Sequence, residues 1–278
     1  MVFCTNNFFI IGGGYPVKLH QEFVYKAIEF FKEDLRVLGL AVGGSWVTNS
    51  MDEYSDIDLV IVIDPKYERE VSDERLVLAE KLGNLLVGFT GEHVGEPRLI
   101  ICLYGPPLLH VDLKFVALPD FVNRVEDPAI LWEREEILTK TMHEKKAVYP
   151  FPNLQWIEDR FWVWVHYITM KIGRGELFEA IETLSFLRVA VLGPLSLIKN
   201  GYLPRGMRYI ERDAKEELPS LIQTIPSHDS GSCILALKHA IELYQRLREY
   251  HKTPELILRK SAEEQAIIYL NGIAAERY

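Results

Sequence analysis

The 278-residue chain carries 31 Lys and Arg against 40 Asp and Glu, a formal net charge of −9, and is 48% hydrophobic. Such a composition excludes a wholly disordered chain, and the length suits one large domain or two modest ones. No unbroken apolar run of about 18 residues proposes a membrane span, and no basic n-region or cleavage site marks Met1 to Ile11 as a secretory signal.

Residues 17–36 carry Leu19, Phe23, Ala27, Phe30, Phe31 and Leu35 at helical spacing, with Lys18, Glu22, Lys26, Glu29 and Glu33 opposite, which predicts an amphipathic helix. VLGLAVGG (37–44) reads as a strand running into a glycine turn. DIDLVIVID (56–64), closed by Pro65, reads as a second strand. A second helix is expected over 68–87, with Val71, Leu78, Leu82, Leu85 and Leu86 on one side. Two further strands, 98–105 and 108–118, flank a Gly-Pro-Pro connection, and AILWERE (129–135) closes the sheet. The expected fold class is therefore α+β, a small mixed sheet with two covering helices, followed by a different second half. VYPFPN (148–153) serves as linker, and helices are expected at Leu154–Ile172, Gly175–Lys199 (kinked at Pro194) and Ser232–His251. A last helix is expected from Thr253, with Thr253 as N-cap and Pro254 in the first turn. Residues 201–231 read as irregular. The division is 1–148 for a catalytic domain and 149–278 for an all-helical, substrate-binding bundle.

Charge follows the same division. Residues 1–148 hold 24 acids and 15 bases, whereas 149–278 hold 16 of each. No basic stripe offers itself to a long nucleic acid, and the acidic half suits multivalent cations. Cys4, Cys102 and Cys233 form no pair or metal spacing, which fits a reducing cytoplasm. Gly12-Gly13-Gly14 follows no adequate strand and reads as a lead-in, not a phosphate loop.

The chemistry concentrates in Gly43-Gly44-Ser45 and the following Asp56-Ile57-Asp58. On a strand, Asp56 and Asp58 share one face while Ile57, Leu59, Ile61 and Ile63 share the other. Two carboxylates facing one way repel unless a cation lies between them, and hard oxygen ligands with open positions suit Mg²⁺. Asp112, set in an apolar strand, offers the third carboxylate that two ions need; His110 and Lys114 share its face. Gly43 and Gly44 let backbone approach phosphate oxygens, and Ser45 can donate from its N–H and hydroxyl.

GGSWVTNSMDEYSDIDLVIVID resembles the signature of the DNA polymerase beta-like nucleotidyltransferase superfamily: Gly-Ser, a gap, then Asp-x-Asp between apolar residues, with a later strand Asp. A minimal catalytic domain followed by a helical bundle is similar to the antibiotic (aminoglycoside and lincosamide) nucleotidyltransferases. The resemblance implies Asp56, Asp58 and Asp112 as catalytic metal ligands for two Mg²⁺ ions. It also implies Gly43, Gly44, Ser45, Ser55 and Lys114 as nucleotide contacts, an NTP co-substrate (ATP favoured) and a small-molecule hydroxyl acceptor. Thr48-Asn49 departs from the Arg-Gly that many relatives carry there. Glu158 and Asp159 stand where some of these enzymes place a general base, and Trp156, Trp162 and Trp164 could wall an acceptor site. Two rivals remain. Arg246 to His251 fits the loose Arg-x4–6-His pattern of HEPN-type ribonucleases, found with minimal nucleotidyltransferases in toxin–antitoxin systems, and Arg160 to His166 fits it equally. The fold could also serve as a catalytically idle binding scaffold.

Overall fold

The computed structural model describes residues 15–48 and 50–277. Cys4, the Gly12–Gly14 run and Asn49 lie outside the described residues. The chain divides into two compact units, 1–149 and 150–278.

In the first unit, α1 (Tyr15–Lys32) leads to β1 (Val37–Val42), and β2 (Ile57–Ile63) precedes α2 (Glu68–Lys81). Then come β3 (Leu85–Gly91), β4 (Glu96–Tyr104), β5 (Leu109–Ala117), α3 (Leu118–Phe121), β6 (Ala129–Glu133) and α4 (Ile137–Glu144). The six strands form one mixed sheet in the order β3-β4-β5-β2-β1-β6. Only β2 and β5 pair in parallel; every other pairing is antiparallel. Strand alternation divides the apolar side chains between two faces. Ile57, Leu59, Ile61 and Ile63 of β2 pack with Val111, Leu113 and Phe115 of β5 against Phe23, Ala27 and Phe31 of α1 and Val71 and Leu78 of α2. On the other face Ala41, Val62 and Val116 meet Phe121 of α3 and Leu138 of α4.

The expected helix over 68–87 stops early. Leu82 ends it, Gly83 and Asn84 turn the chain, and residues 85–91 pair with β4 as edge strand β3. Leu85 and Leu86 continue the helical spacing, but the sequence LLVGFTG is equally a strand, and β4 offers it a ladder of backbone partners with register shifts at Leu85/Val87 and Thr90/Gly91.

The second unit holds α5 (Leu154–Arg174), α6 (Leu177–Leu187), α7 (Gly193–Lys199), α8 (Ile210–Asp213), α9 (Leu218–Gln223), α10 (Ser230–His251) and α11 (Lys260–Arg277). Its core is Phe161, Trp162, Val165, Leu184, Leu237 and Tyr244 with their neighbours. The expected kink in Gly175–Lys199 is a π turn, Arg188–Leu192, just ahead of Pro194, whose ring nitrogen has no hydrogen to donate. Leu177–Lys199 is the one stretch among the described residues long and apolar enough to cross a membrane, and half of it is buried inside the protein.

The helix expected from Thr253 begins instead at Lys260. Thr253 to Leu256 forms a turn, and the following amides find side-chain acceptors on α5. Ile257 N–H donates to Gln155 Oε1 and Arg259 N–H to Glu158 Oε1, so these groups need no helical partner.

Candidate active site

The parallel pairing of β2 with β5 decides the geometry. Asp58 stands directly opposite Asp112, and the next pair along that face is Val60 with Lys114. Both aspartates therefore project from the face that carries Val62 and Val116 further along, beyond the part that α3 and α4 cover. On the other side of Asp58, the Gly43 N–H donates to the Asp58 carbonyl at 2.9 Å, so the glycine turn sits beside the aspartate. Gly44 has φ +62°, and a Cβ there would lie 2.1 Å from Asp58 Oδ2. Only glycine leaves room for that carboxylate.

Asp112 is poorly solvated. Its Oδ1 is buried and makes no hydrogen bond, although His110 Nε2 stands 3.2 Å away as an ion-pair contact. Burial raises its pKa, His110 offsets part of that, and the charge of Asp56 raises it further. Asp56 is thus an electrostatic neighbour of Asp112, although it precedes β2 and stands outside the ladder. Ser45 Oγ is a second buried oxygen without a hydrogen-bond partner.

Crowded carboxylates, a buried carboxylate oxygen without a hydrogen bond and a hydroxyl without one are the donor types a hard divalent ion takes. The three aspartates do not close on one point, however. Among the described residues no three His, Cys, Asp or Glu side chains gather tightly enough to hold a metal. Asp58 leans toward Gly44 and Asp112 toward His110, which is the direction that mutual repulsion of like charges favours.

Residues 24–108 match the family model described as "Nucleotidyltransferase domain". Over that stretch the chain is similar to a nucleotidyltransferase domain. No curated protein matches it. Three solved structures are similar in part. An aminoglycoside 6-adenyltransferase from Bacillus subtilis is 14% identical, covering 90% of this chain and 97% of its own, with a TM-score of 0.39. A nucleotidyltransferase-like protein from Exiguobacterium sibiricum 255-15 is 14% identical, at 91% and 89% coverage and a TM-score of 0.39. A STING-associated CdnE c-di-GMP synthase from Capnocytophaga granulosa is 16% identical, at 85% and 82% coverage and a TM-score of 0.33.

Two side chains expected to contact the nucleotide are engaged elsewhere. The Ser55 hydroxyl donates to Asp52 Oδ1 at 3.0 Å and accepts the Asp52 N–H at 2.9 Å, which fixes the turn ahead of Asp56. Lys114 Nζ pairs at 2.8 Å with Glu96 Oε2 on the neighbouring strand. Glu96 also holds Arg98. In turn, two residues near the site were not foreseen. Glu126, in the loop before β6, accepts the Gly44 N–H at 2.8 Å. His20 of α1 is buried and reaches the Ser55 carbonyl at 2.7 Å. Glu126 has no sequence signal, since it is an acid in a loop among others. His20 had one: it precedes Phe23 and Val24 by three and four residues and so belongs to the buried stripe of α1.

The helical unit reassigns the remaining candidates. Glu158 is fully buried and accepts from Tyr244 Oη (2.7 Å), Arg248 Nη1 (3.2 Å), Trp162 Nε1 (3.3 Å) and the Arg259 N–H (2.9 Å). Asp159 is held by Gln155 and Arg259, and those bonds lower its pKa. Glu158 is a bracing group with both oxygens engaged, unlike a waiting general base, whereas Asp159 is held through Oδ1. Trp162 is buried in the core, whereas Trp156 is exposed and stands 5.7 Å from Trp164, ring to ring. Arg246 donates to Ser220 Oγ and His251 Nε2 to the Leu195 carbonyl. Five residues apart on α10, they point about 140° from each other and serve different neighbours.

Proposed function

We propose that this nucleotidyltransferase domain moves a nucleoside monophosphate from an NTP to a hydroxyl of a small-molecule acceptor and releases pyrophosphate. The observation that carries the proposal is the side-by-side placement of Asp58 and Asp112 against the Gly43–Gly44 turn, with Asp112 Oδ1 buried and met only by the His110 ring at 3.2 Å among the described residues. Asp56, Asp58 and Asp112 are the residues that would hold Mg²⁺, two ions where all three engage. When bound, the metal neutralises phosphate charge and lowers the pKa of the attacking hydroxyl.

The chain's own groups do the positioning. Gly43 and Gly44 carry no side chain that would bar the approach of phosphate, while their N–H groups are held by the Asp58 carbonyl and Glu126. The Ser45 hydroxyl, without a hydrogen-bond partner among the described residues, donates to a phosphate oxygen. The acceptor hydroxyl gives its proton to solvent and its oxygen bonds the α-phosphorus as the α–β bridge breaks, and pyrophosphate carries the electron pair away. ATP is the favoured donor on the resemblance of the Gly-Ser and Asp-x-Asp spacing, and the neutral helical unit is the proposed seat of the acceptor. The ribonuclease alternative has less support, because Arg246 and His251 engage separate partners.

The test is pyrophosphate release with ATP, GTP, CTP and UTP against a panel of small alcohols in Mg²⁺. Acceptor-dependent release with one nucleotide supports the proposal. No release with any pair, in protein shown to be folded, contradicts it.

A further inference from the structure

The sheet fixes Asp58 and Asp112 by strand pairing, but Asp56 lies one residue before β2 and has no ladder to hold it. Its position depends on the peptide that enters it, Ser55–Asp56. We propose that His20 is a positioning residue that aims Asp56, by gripping the Ser55 carbonyl from α1.

The geometry supports this in three ways. His20 is 3% exposed, on the helix face that otherwise carries Phe23, Val24 and Ala27 into the core. A buried polar ring in such a stripe costs stability unless its hydrogen bonds are made. A carbonyl oxygen only accepts, so the 2.7 Å contact requires His20 Nε2 to carry a hydrogen and donate it. The segment it grips is already stiff. Asp52 Oδ1 accepts from both the Tyr54 N–H (3.0 Å) and the Ser55 hydroxyl (3.0 Å), making a closed turn over 52–55. With Ile57 paired to Val111, Asp56 is a single residue suspended between two anchored points. Removing the helix-side anchor leaves the turn folded but free to swing about the start of β2. The inference rests on the proposal that Asp56 is a metal ligand. It assigns His20 the part that outer-sphere partners play for ligands, fixing orientation without touching the ion.

The experiment compares wild type with His20→Leu, His20→Gln and Asp56→Asn. Mn²⁺ is titrated with α,β-methylene-ATP present, and free Mn²⁺ is followed by electron paramagnetic resonance. His20→Leu keeps the apolar bulk and removes the donor; it should weaken Mn²⁺ binding about 10–100-fold. His20→Gln places an amide N–H near the Nε2 position and should bind close to the wild-type value. Asp56→Asn should lose at least as much as His20→Leu. A His20→Leu protein with wild-type Mn²⁺ affinity overturns the proposal, as does a His20→Gln protein as weak as His20→Leu. An Asp56→Asn protein that binds Mn²⁺ as wild type does would reject the metal role of Asp56 itself, and the His20 proposal with it. Should His20→Leu fail to fold, the wild type still decides. Its ¹⁵N-labelled histidine spectrum should show His20 protonated at Nε2, and a bare Nε2 overturns the grip.

Discussion

Gly44 couples backbone conformation to the placement of a carboxylate. At φ +62° an alanine meets a steric cost of about 1–2 kcal/mol, and its methyl would collide with Asp58 Oδ2. Gly44→Ala should therefore lower the unfolding free energy by that amount, read as a lower urea midpoint at an unchanged slope, and displace Asp58 as well. A fully stable Gly44→Ala protein would mean that the turn relaxes freely. Asp112 gives the opposite sign. Burial raises its pKa, so the folded chain holds that proton more tightly than the unfolded chain. Its contribution is favourable below the ordinary carboxylate range and is lost as pH rises through the folded-state value. At pH 7 in EDTA, Asp112→Asn should raise the Tm, by about 2–4 °C for each kcal/mol recovered. The gain should vanish at about pH 2, well below the unfolded-state value, where the wild-type group is protonated in either state. A lower Tm at pH 7 would mean that the ionised carboxylate has a stabilising partner. The alternation in LLHVDLKFVAL was enough to place Asp112 on one face with His110 and Lys114. Nothing in the sequence could show that Lys114 would meet Glu96, because that pairing depends on the β4–β5 register.

Among the elements, β4 and β5 are tied by Glu96, which serves both Arg98 and Lys114. The Arg98 hydrogen bond, then the Lys114 ammonium, depress its pKa to about 2. A depressed pKa contributes stability above the unfolded-state value, and that stability is lost as pH falls from about 4.3 toward 2. Glu96→Gln should cost about 1 kcal/mol at pH 7, discounted for solvent screening, with the difference from wild type closing by pH 2. A difference that persists unchanged at pH 2 would show a packing effect and not a charge effect. The elements near the motif were legible, because β1, β2 and β5 are short apolar runs with clear stops. β3 was not, since Leu85 and Leu86 satisfy a helical period and only the open edge of β4 makes them a strand. The Thr253 start failed for a related reason. Its N-cap pattern is sound locally, but Glu158 and Gln155 on α5 capture the amides that would have built the helix.

For the whole molecule, the two halves differ as their composition suggested: an acidic α+β unit and an electrically neutral helical one. The acidic surplus falls in the unit that places Asp58 beside Asp112, as the proposed metal site requires. The helical unit uses its buried charges internally, with Glu158 bracing α5 against α10 through Tyr244 and Arg248. The proposed function puts the chemistry in the first unit and gives α10 no reacting role. The most direct test is transfer of label from α-³²P-ATP to an acceptor found in the pyrophosphate screen, with labelled RNA as a parallel substrate. Wild type, Asp112→Asn and His251→Ala are compared. The account predicts transfer by wild type and His251→Ala, with Asp112→Asn reduced by several orders of magnitude while remaining folded. Transfer that survives Asp112→Asn undiminished, or RNA cleavage that depends on His251, would contradict it.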